Sequence, residues 1–199
     1  MARQHGGTRL KIVRAAFRLF RERAYDEVTM EEVAREAGVS KGALFYYFPG
    51  KYELAKAAVE YAFHRFLEEL RGSVEGKSGL EALESLISTA LELEAENPKI
   101  VRFFLEVYEV SARRGEEGFW DNLYMEAIEF IEGVLRAAGL PEPRKRAVML
   151  TALLDGLAWH YILSRGKVFR LDEVKPLVVD MITGGRPRKS VNVASSGEC

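Results

Sequence analysis

The chain of 199 residues has one cysteine, Cys199, one glutamine, Gln4, and three histidines, His5, His64 and His160, that stand far apart. A single thiol has no intrachain partner, so a disulfide framework is excluded and a reducing compartment is the expected setting. No His-x3-His, His-Glu-x2-His or cysteine cluster occurs, so neither a metal nor a cofactor is expected. A glycine-rich phosphate loop and a Gly-x-Ser-x-Gly turn are missing too; no catalytic residues are assigned and the chain reads as a non-enzyme. There is no run of about 18 uncharged apolar residues. The opening Met-Ala-Arg-Gln-His-Gly-Gly-Thr lacks the apolar segment of a signal peptide. The expectation is a cytoplasmic protein with no membrane partner.

What is present is ordinary globular material, 48% hydrophobic and 30% charged, enough to bury a core without staples. The net charge of −1 hides an uneven distribution. Residues 1–55 carry ten Lys/Arg against seven Asp/Glu, residues 73–135 five against fourteen, and the remainder from 136 is basic again. A basic front on an acidic body suggests a polyanionic partner, although blocks of charge also arise on solvated helix faces.

Gly and Pro cut the chain into helix-length pieces, and alternating β-branched runs are missing, so the fold class is all-α. A first helix over 8–24 places Leu10, Val13, Phe17, Phe20 and Ala24 on one face after a Thr8 cap. Thr29 with Glu32 is a capping box opening a short helix to Ala37, ended by Gly38; Ser40 caps another, Lys41 to Tyr47. After Pro49-Gly50 the periodicity predicts helices over 51–71, 80–96, 98–113, 119–138, 144–165 and 172–183. This divides the chain into a helix-turn-helix domain (1–50), a helical body (51–183), to which the resemblance given below adds ligand binding and dimerisation, entered by the connecting helix 51–71, and a mobile tail (184–199). In the helix 144–165, Leu150, Leu153, Leu154, Leu157, Trp159, Tyr161 and Ile162 wrap around too much of the surface for one contact face. With Val174, Leu177, Val178 and Met181 of the last helix they predict a four-helix interface in a homodimer.

The two short helices around Gly38 have helix-turn-helix spacing: Ala34 is small at the crossing, and Val33, Ala37, Val39, Leu44 and Tyr47 supply the apolar contacts. The run from Arg9 through Ile12, Ala15-Ala16, Phe20 and Tyr25 leads into Thr29-Met30-x2-Val33-Ala34-x2-Ala37-Gly38-Val39-Ser40. It continues as x-Gly42-x-Leu44-Phe45-Tyr46-Tyr47-Phe48-x2-Lys51-x2-Leu54. The whole resembles the N-terminal signature of the TetR family of transcriptional regulators. That resemblance implies a homodimeric DNA-binding protein, usually a repressor, with a divergent all-α body that takes a small molecule.

Carried over by position, the resemblance implies that Thr29, Tyr47 and Lys51 contact backbone phosphates of a double-stranded operator. Ser40, Lys41, Gly42, Ala43 and Tyr46 would face the major groove, where Lys41 can donate to guanine and Ala43 can touch a thymine methyl. Phe45 stands where the family most often has Tyr, Tyr47 where it often has His, and Ala24 where Gly is usual. The resemblance further implies a cavity walled by Phe63, Phe66, Phe103, Phe104, Tyr108, Trp120, Tyr124 and Trp159. Its occupant is a small apolar ligand, fatty-acyl in type or a lipophilic cation, oriented by polar groups among Arg102, Glu106, Asn122, Asp155 and His160. The helix 51–71 is expected to be the one element touching both sites. The alternative is a helical interaction module or small all-α enzyme that never meets DNA; steep loss of duplex binding with salt separates the two.

Overall fold

The computed structural model describes residues 2–185, with side chains from residue 7 onward, and every regular element among them is helical. Of the tail expected over 184–199, all but Gly184 and Gly185 lies outside the described residues. The helices are α1 (Ala2–Glu22), α2 (Met30–Ala37), α3 (Lys41–Tyr47), α4 (Lys51–Val74), α5 (Gly79–Glu96), α6 (Pro98–Arg114), α7 (Gly118–Ala137), α8 (Pro143–Ser164) and α9 (Leu171–Thr183). Thr8 lies inside α1 and not at its start. The buried arc of α1 is Ile12, Val13, Ala15, Ala16 and Phe20, while Leu10 is exposed: α1 is packed by α2 and α4 together, which rotates the arc away from the expected stripe. Ala24 is extended at φ −61°, so the turn Tyr25–Glu27 that follows needs no glycine there.

Capping chemistry fixes the two short helices. The Thr29 hydroxyl accepts from the Glu32 amide, and the Glu32 carboxylate accepts from the Thr29 amide at 2.9 Å. Gly38 sits at φ 66°, a left-handed conformation that would cost roughly 1–2 kcal/mol with a side chain. It turns the chain so that the Ser40 hydroxyl can accept from the Ala43 amide and start α3. Leu44 and Phe48 then drop into a core made with Ile12, Ala16, Phe20, Val33 and Ala34.

That first core continues past residue 50. Tyr52, Leu54, Ala55, Ala58 and Val59 of α4 belong to it, as do Phe103 and Val107 of α6 and Trp120 of α7. The far half of α4 contributes Leu67 and Leu70 to a second core with α5, α7, α8 and α9. At about 1.5 Å per residue, the 24 residues of α4 span about 36 Å, so one helix is common to both cores.

By length and composition α8 could cross a membrane, alone among the described helices. Its centre carries Asp155, however, and Ala147, Leu150, Leu154 and Ala158 are buried within the subunit. On the outside of α8 and α9, Val148, Met149, Leu163, Leu177 and Met181 make an outward apolar stripe, with Leu163 62% and Met181 64% exposed. The outward set therefore differs from the expected one: Leu150, Leu154 and Val178 serve the core of the single subunit, because α5 and α7 already cover that side of α8.

Candidate nucleic-acid interface and effector cavity

The outer face of α3 presents Ser40, Lys41, Gly42, Phe45 and Tyr46, all exposed, with the Tyr46 ring open at 75%. Ala43 is half-buried beside them, and Tyr47 is half-buried against the core, its ring edge-on to Tyr46 at 5.1 Å. The Lys41 ammonium is hydrogen-bonded to Glu31 of α2 and lies 5.8 Å from the Phe45 ring. Thr29 is exposed at the start of α2, where the helix dipole favours an anion and where its own amide and hydroxyl already donate to the Glu32 carboxylate. Thr29, Ser40, Lys41, Gly42, Phe45 and Tyr46 are thus all open to solvent, while Ala43 and Tyr47 are half-buried.

Lys51 is placed differently. Its Nζ faces the carbonyls of Tyr25, Asp26 and Val28 at 3.1, 3.5 and 3.2 Å and lies 4.5 Å over the Tyr25 ring. The charge expected on a phosphate is thus turned onto the connection between α1 and α2, because that connection leaves three carbonyls without helical partners. Glu32 is tied to the same corner: hydrogen bonds from Arg23 and then from Thr29 pull its carboxyl down to about 2.

Behind this unit lies a cavity of about 910 Å³ between α1, α4, α5, α6, α7 and α8. Phe63, Phe66, Phe104, Tyr108, Trp120, Tyr124 and Trp159 all line it. Phe103 does not. It points to the opposite side of α6, fully buried and stacked on Phe20 at 5.1 Å, because adjacent helical residues lie about 100° apart and Phe104 takes the cavity side. Tyr61, Phe17 and Glu94 complete the wall without having been marked in the sequence; Glu94 reads there as one more acid in a solvated block.

Of the polar residues expected to orient a ligand, Asp155 lines the cavity, whereas Asn122 and His160 do not. Arg102 and Glu106 border a separate hollow of about 280 Å³ and turn toward α1. Arg102 Nη2 donates to the carbonyls of Phe20, Arg21 and Arg23 at 3.2, 3.0 and 3.2 Å, and Glu106 accepts from the Tyr25 amide at 2.8 Å. On the same helix Ser111 is a buried node: its hydroxyl accepts from Tyr52 of α4 at 2.9 Å and from Trp120 of α7 at 3.1 Å, and donates to the Val107 carbonyl. So α6 touches the cavity with one face and the end of α1 with another, and α4 is not the only link between the two sites.

Of the carboxylates on the cavity wall, Glu69, Glu94 and Asp155, the last two have unusual proton affinities. Burial, and then the neighbouring Asp155, push Glu94 up to about 8, and burial pushes Asp155 up to about 6. Asp155 is accessible because it faces the cavity, yet the protein around it still removes much of its hydration. Tyr124 is raised as well, first by burial and then by these two acids.

The family model for bacterial regulatory proteins of the tetR family matches residues 12–58. The nucleoid occlusion factor SlmA of Haemophilus influenzae is 27% identical over 167 residues, covering 77% of this chain and 73% of that protein. A transcriptional regulator from Rhodococcus sp. Rha1 superimposes with a TM-score of 0.71 at 25% identity, over 89% of this chain and 96% of that one. A structure of SmeT in complex with triclosan matches with a TM-score of 0.65 at 24% identity, over 97% and 98% of the two chains.

Proposed function

This chain belongs to the TetR family of bacterial regulatory proteins, and from that premise we propose that it works as a homodimeric, cytoplasmic repressor released from its operator by a small apolar ligand. It is a ligand-responsive DNA-binding regulator. The observation that carries this is the joint presence, in one chain, of an exposed α3 face with Lys41 and Tyr46 and a large aromatic cavity bound to it through α4 and α6.

The reading head acts as follows. Lys41 donates to a guanine edge, giving up its bond to Glu31, while Gly42 and the small Ala43 permit close approach to the bases. Tyr46 packs at the groove, and Phe45 and Tyr47 contribute apolar and phenolic contact to the backbone. Thr29 meets a phosphate at the α2 N-terminus. Lys51 is a positioning residue: by holding Tyr25, Asp26 and Val28 it fixes the angle at which α2 presents Thr29.

The outward stripe of α8 and α9 supports the dimer, since an exposed apolar face of two adjacent helices is the material of a four-helix interface across a two-fold axis. Two-fold symmetry then sets two copies of α3 against half-sites about 34–36 Å apart, or a multiple of that. A ligand that occupies the cavity displaces α6 and the far half of α4, and through Arg102, Glu106 and Ser111 shifts α1 and the reading head. Linkage requires that DNA weaken ligand binding by the same factor. Selection from random duplexes should return an inverted repeat whose affinity falls steeply with salt; recovery of no enriched inverted repeat would overturn the operator function.

A further inference from the structure

Glu94 on α5 and Asp155 on α8 face one cavity from two helices, and neither carboxylate has a hydrogen bond or ion pair among the described residues. The rest of the wall is dominated by aromatic and aliphatic groups. Other titratable groups on it are Arg21 of α1, Tyr61, Arg65 and Glu69 of α4, Tyr108 of α6 and Tyr124 of α7. Arg21 is paired with Glu22 and Arg65 with Glu69. On α9, which packs behind α5, Lys175 is held by Glu92 and Ser88. Among the described residues no cation is paired with either acid, so a charge of the opposite sign comes from a ligand or a proton stays.

We propose that the ligand of this cavity is a lipophilic monocation, its charge seated between Glu94 and Asp155 and its apolar body lying against Phe104, Trp120 and Tyr124. The identification rests on the ligand-responsive regulator described above and names the chemical class of its effector. An aromatic wall suits a diffuse cation twice over, by burying its carbon surface and by offering ring faces to its charge. A fatty acyl carboxylate has the wrong sign: its head would meet Glu94 and Asp155, while the basic groups described on the wall, Arg21 and Arg65, are already paired with Glu22 and Glu69. The balance of protons sets the valence. At neutral pH Glu94 holds its proton and Asp155 has lost its own, so the pair carries about one negative charge, which one positive charge completes.

The test uses two probes of nearly equal size and shape and opposite charge, tetraphenylphosphonium and tetraphenylborate, added to the full-length protein with the emission of Trp120 and Trp159 as readout. Tetraphenylphosphonium should bind at least tenfold more tightly than tetraphenylborate at pH 7.5, and its affinity should rise between pH 5 and 7 as Asp155 ionises. The double variant Glu94→Gln, Asp155→Asn should lose that preference at least tenfold and its pH dependence with it. Each single variant is expected to fold because it removes a poorly hydrated acid; Asp155→Asn should account for most of the loss, whereas Glu94→Gln, which replaces a largely protonated acid, should change the preference at pH 7.5 little. Equal or preferred binding of tetraphenylborate, binding of neither probe, or an unchanged preference in a folded double variant each overturns the proposal. Operator affinity in the presence of bound tetraphenylphosphonium is scored separately. No change there would defeat the regulatory function while leaving the charge selectivity standing, and operator binding without any probe is unaffected by either result.

Discussion

Single residues carry three separable effects. Glu94 titrates near 4.5 when unfolded and near 8 in the folded protein, so the native state binds the extra proton between those values. Its contribution to stability is present in full below pH 4.5 and is lost as pH rises through 8. At 1.36 kcal/mol per unit the upper bound is about 5 kcal/mol, before screening by water in the cavity. Glu94→Gln should therefore raise the melting temperature at pH 8 and leave it unchanged at pH 4, which thermal melts across that range will check. Ser111→Ala has the opposite outcome: it leaves the Tyr52 hydroxyl and the Trp120 indole N–H buried without their acceptor and should destabilise by on the order of 2 kcal/mol or more, measured by urea unfolding. The third effect is at Lys51. Lys51→Met removes a cation from three carbonyls, and should lower stability together with operator affinity; a variant with unaltered melting temperature and weaker DNA binding would return Lys51 to the phosphate backbone. Its role was not legible in the sequence, because the same Lys side chain reaches either solvent or its own chain's carbonyls depending on where the preceding connection runs.

Among the elements, the helices from α2 onward were readable to within three residues, since caps and breakers act locally: Thr29 with Glu32, Gly38, Ser40 and Asn97-Pro98 each stand where a helix starts or stops, whereas Thr8, expected as a cap, lies inside α1. Faces were less readable. Phe103 and Phe104 are equivalent in a sequence, and only the packing of α6 between Phe20 and Trp120 assigns one to the core and the other to the cavity. The role of α6 as a link is hidden in the sequence for the same reason, because Arg102 and Glu106 resemble any exposed i, i+4 pair until the end of α1 is laid beside them. Its importance is testable. Arg102→Met should keep probe binding within about twofold while reducing the ligand's effect on operator affinity below the 5–150-fold typical of allosteric coupling. Paired titrations with DNA and with tetraphenylphosphonium will check it, and full coupling in this variant would assign the transmission to α4 alone.

In the whole molecule, the subunit leaves Leu163, Leu177 and Met181 more than half exposed on neighbouring helices. The wild-type chain should sediment as a dimer of its 22.5 kDa subunit at micromolar concentration, and Leu163→Glu with Met181→Glu should sediment as a monomer of unchanged helicity. The monomer should also lose operator affinity far beyond a factor of two, since each half-site alone keeps only its own phosphate contacts. The most direct single measurement is an anisotropy titration of the selected inverted-repeat duplex with wild-type protein from 50 to 200 mM salt. The expected result is saturation in steps of two subunits per repeat, with affinity falling by orders of magnitude over that range and Lys41→Ala relaxing the preference for the repeat over a scrambled duplex. Binding that is absent, indifferent to salt, or equal for repeat and scrambled duplexes would contradict a DNA-reading α3.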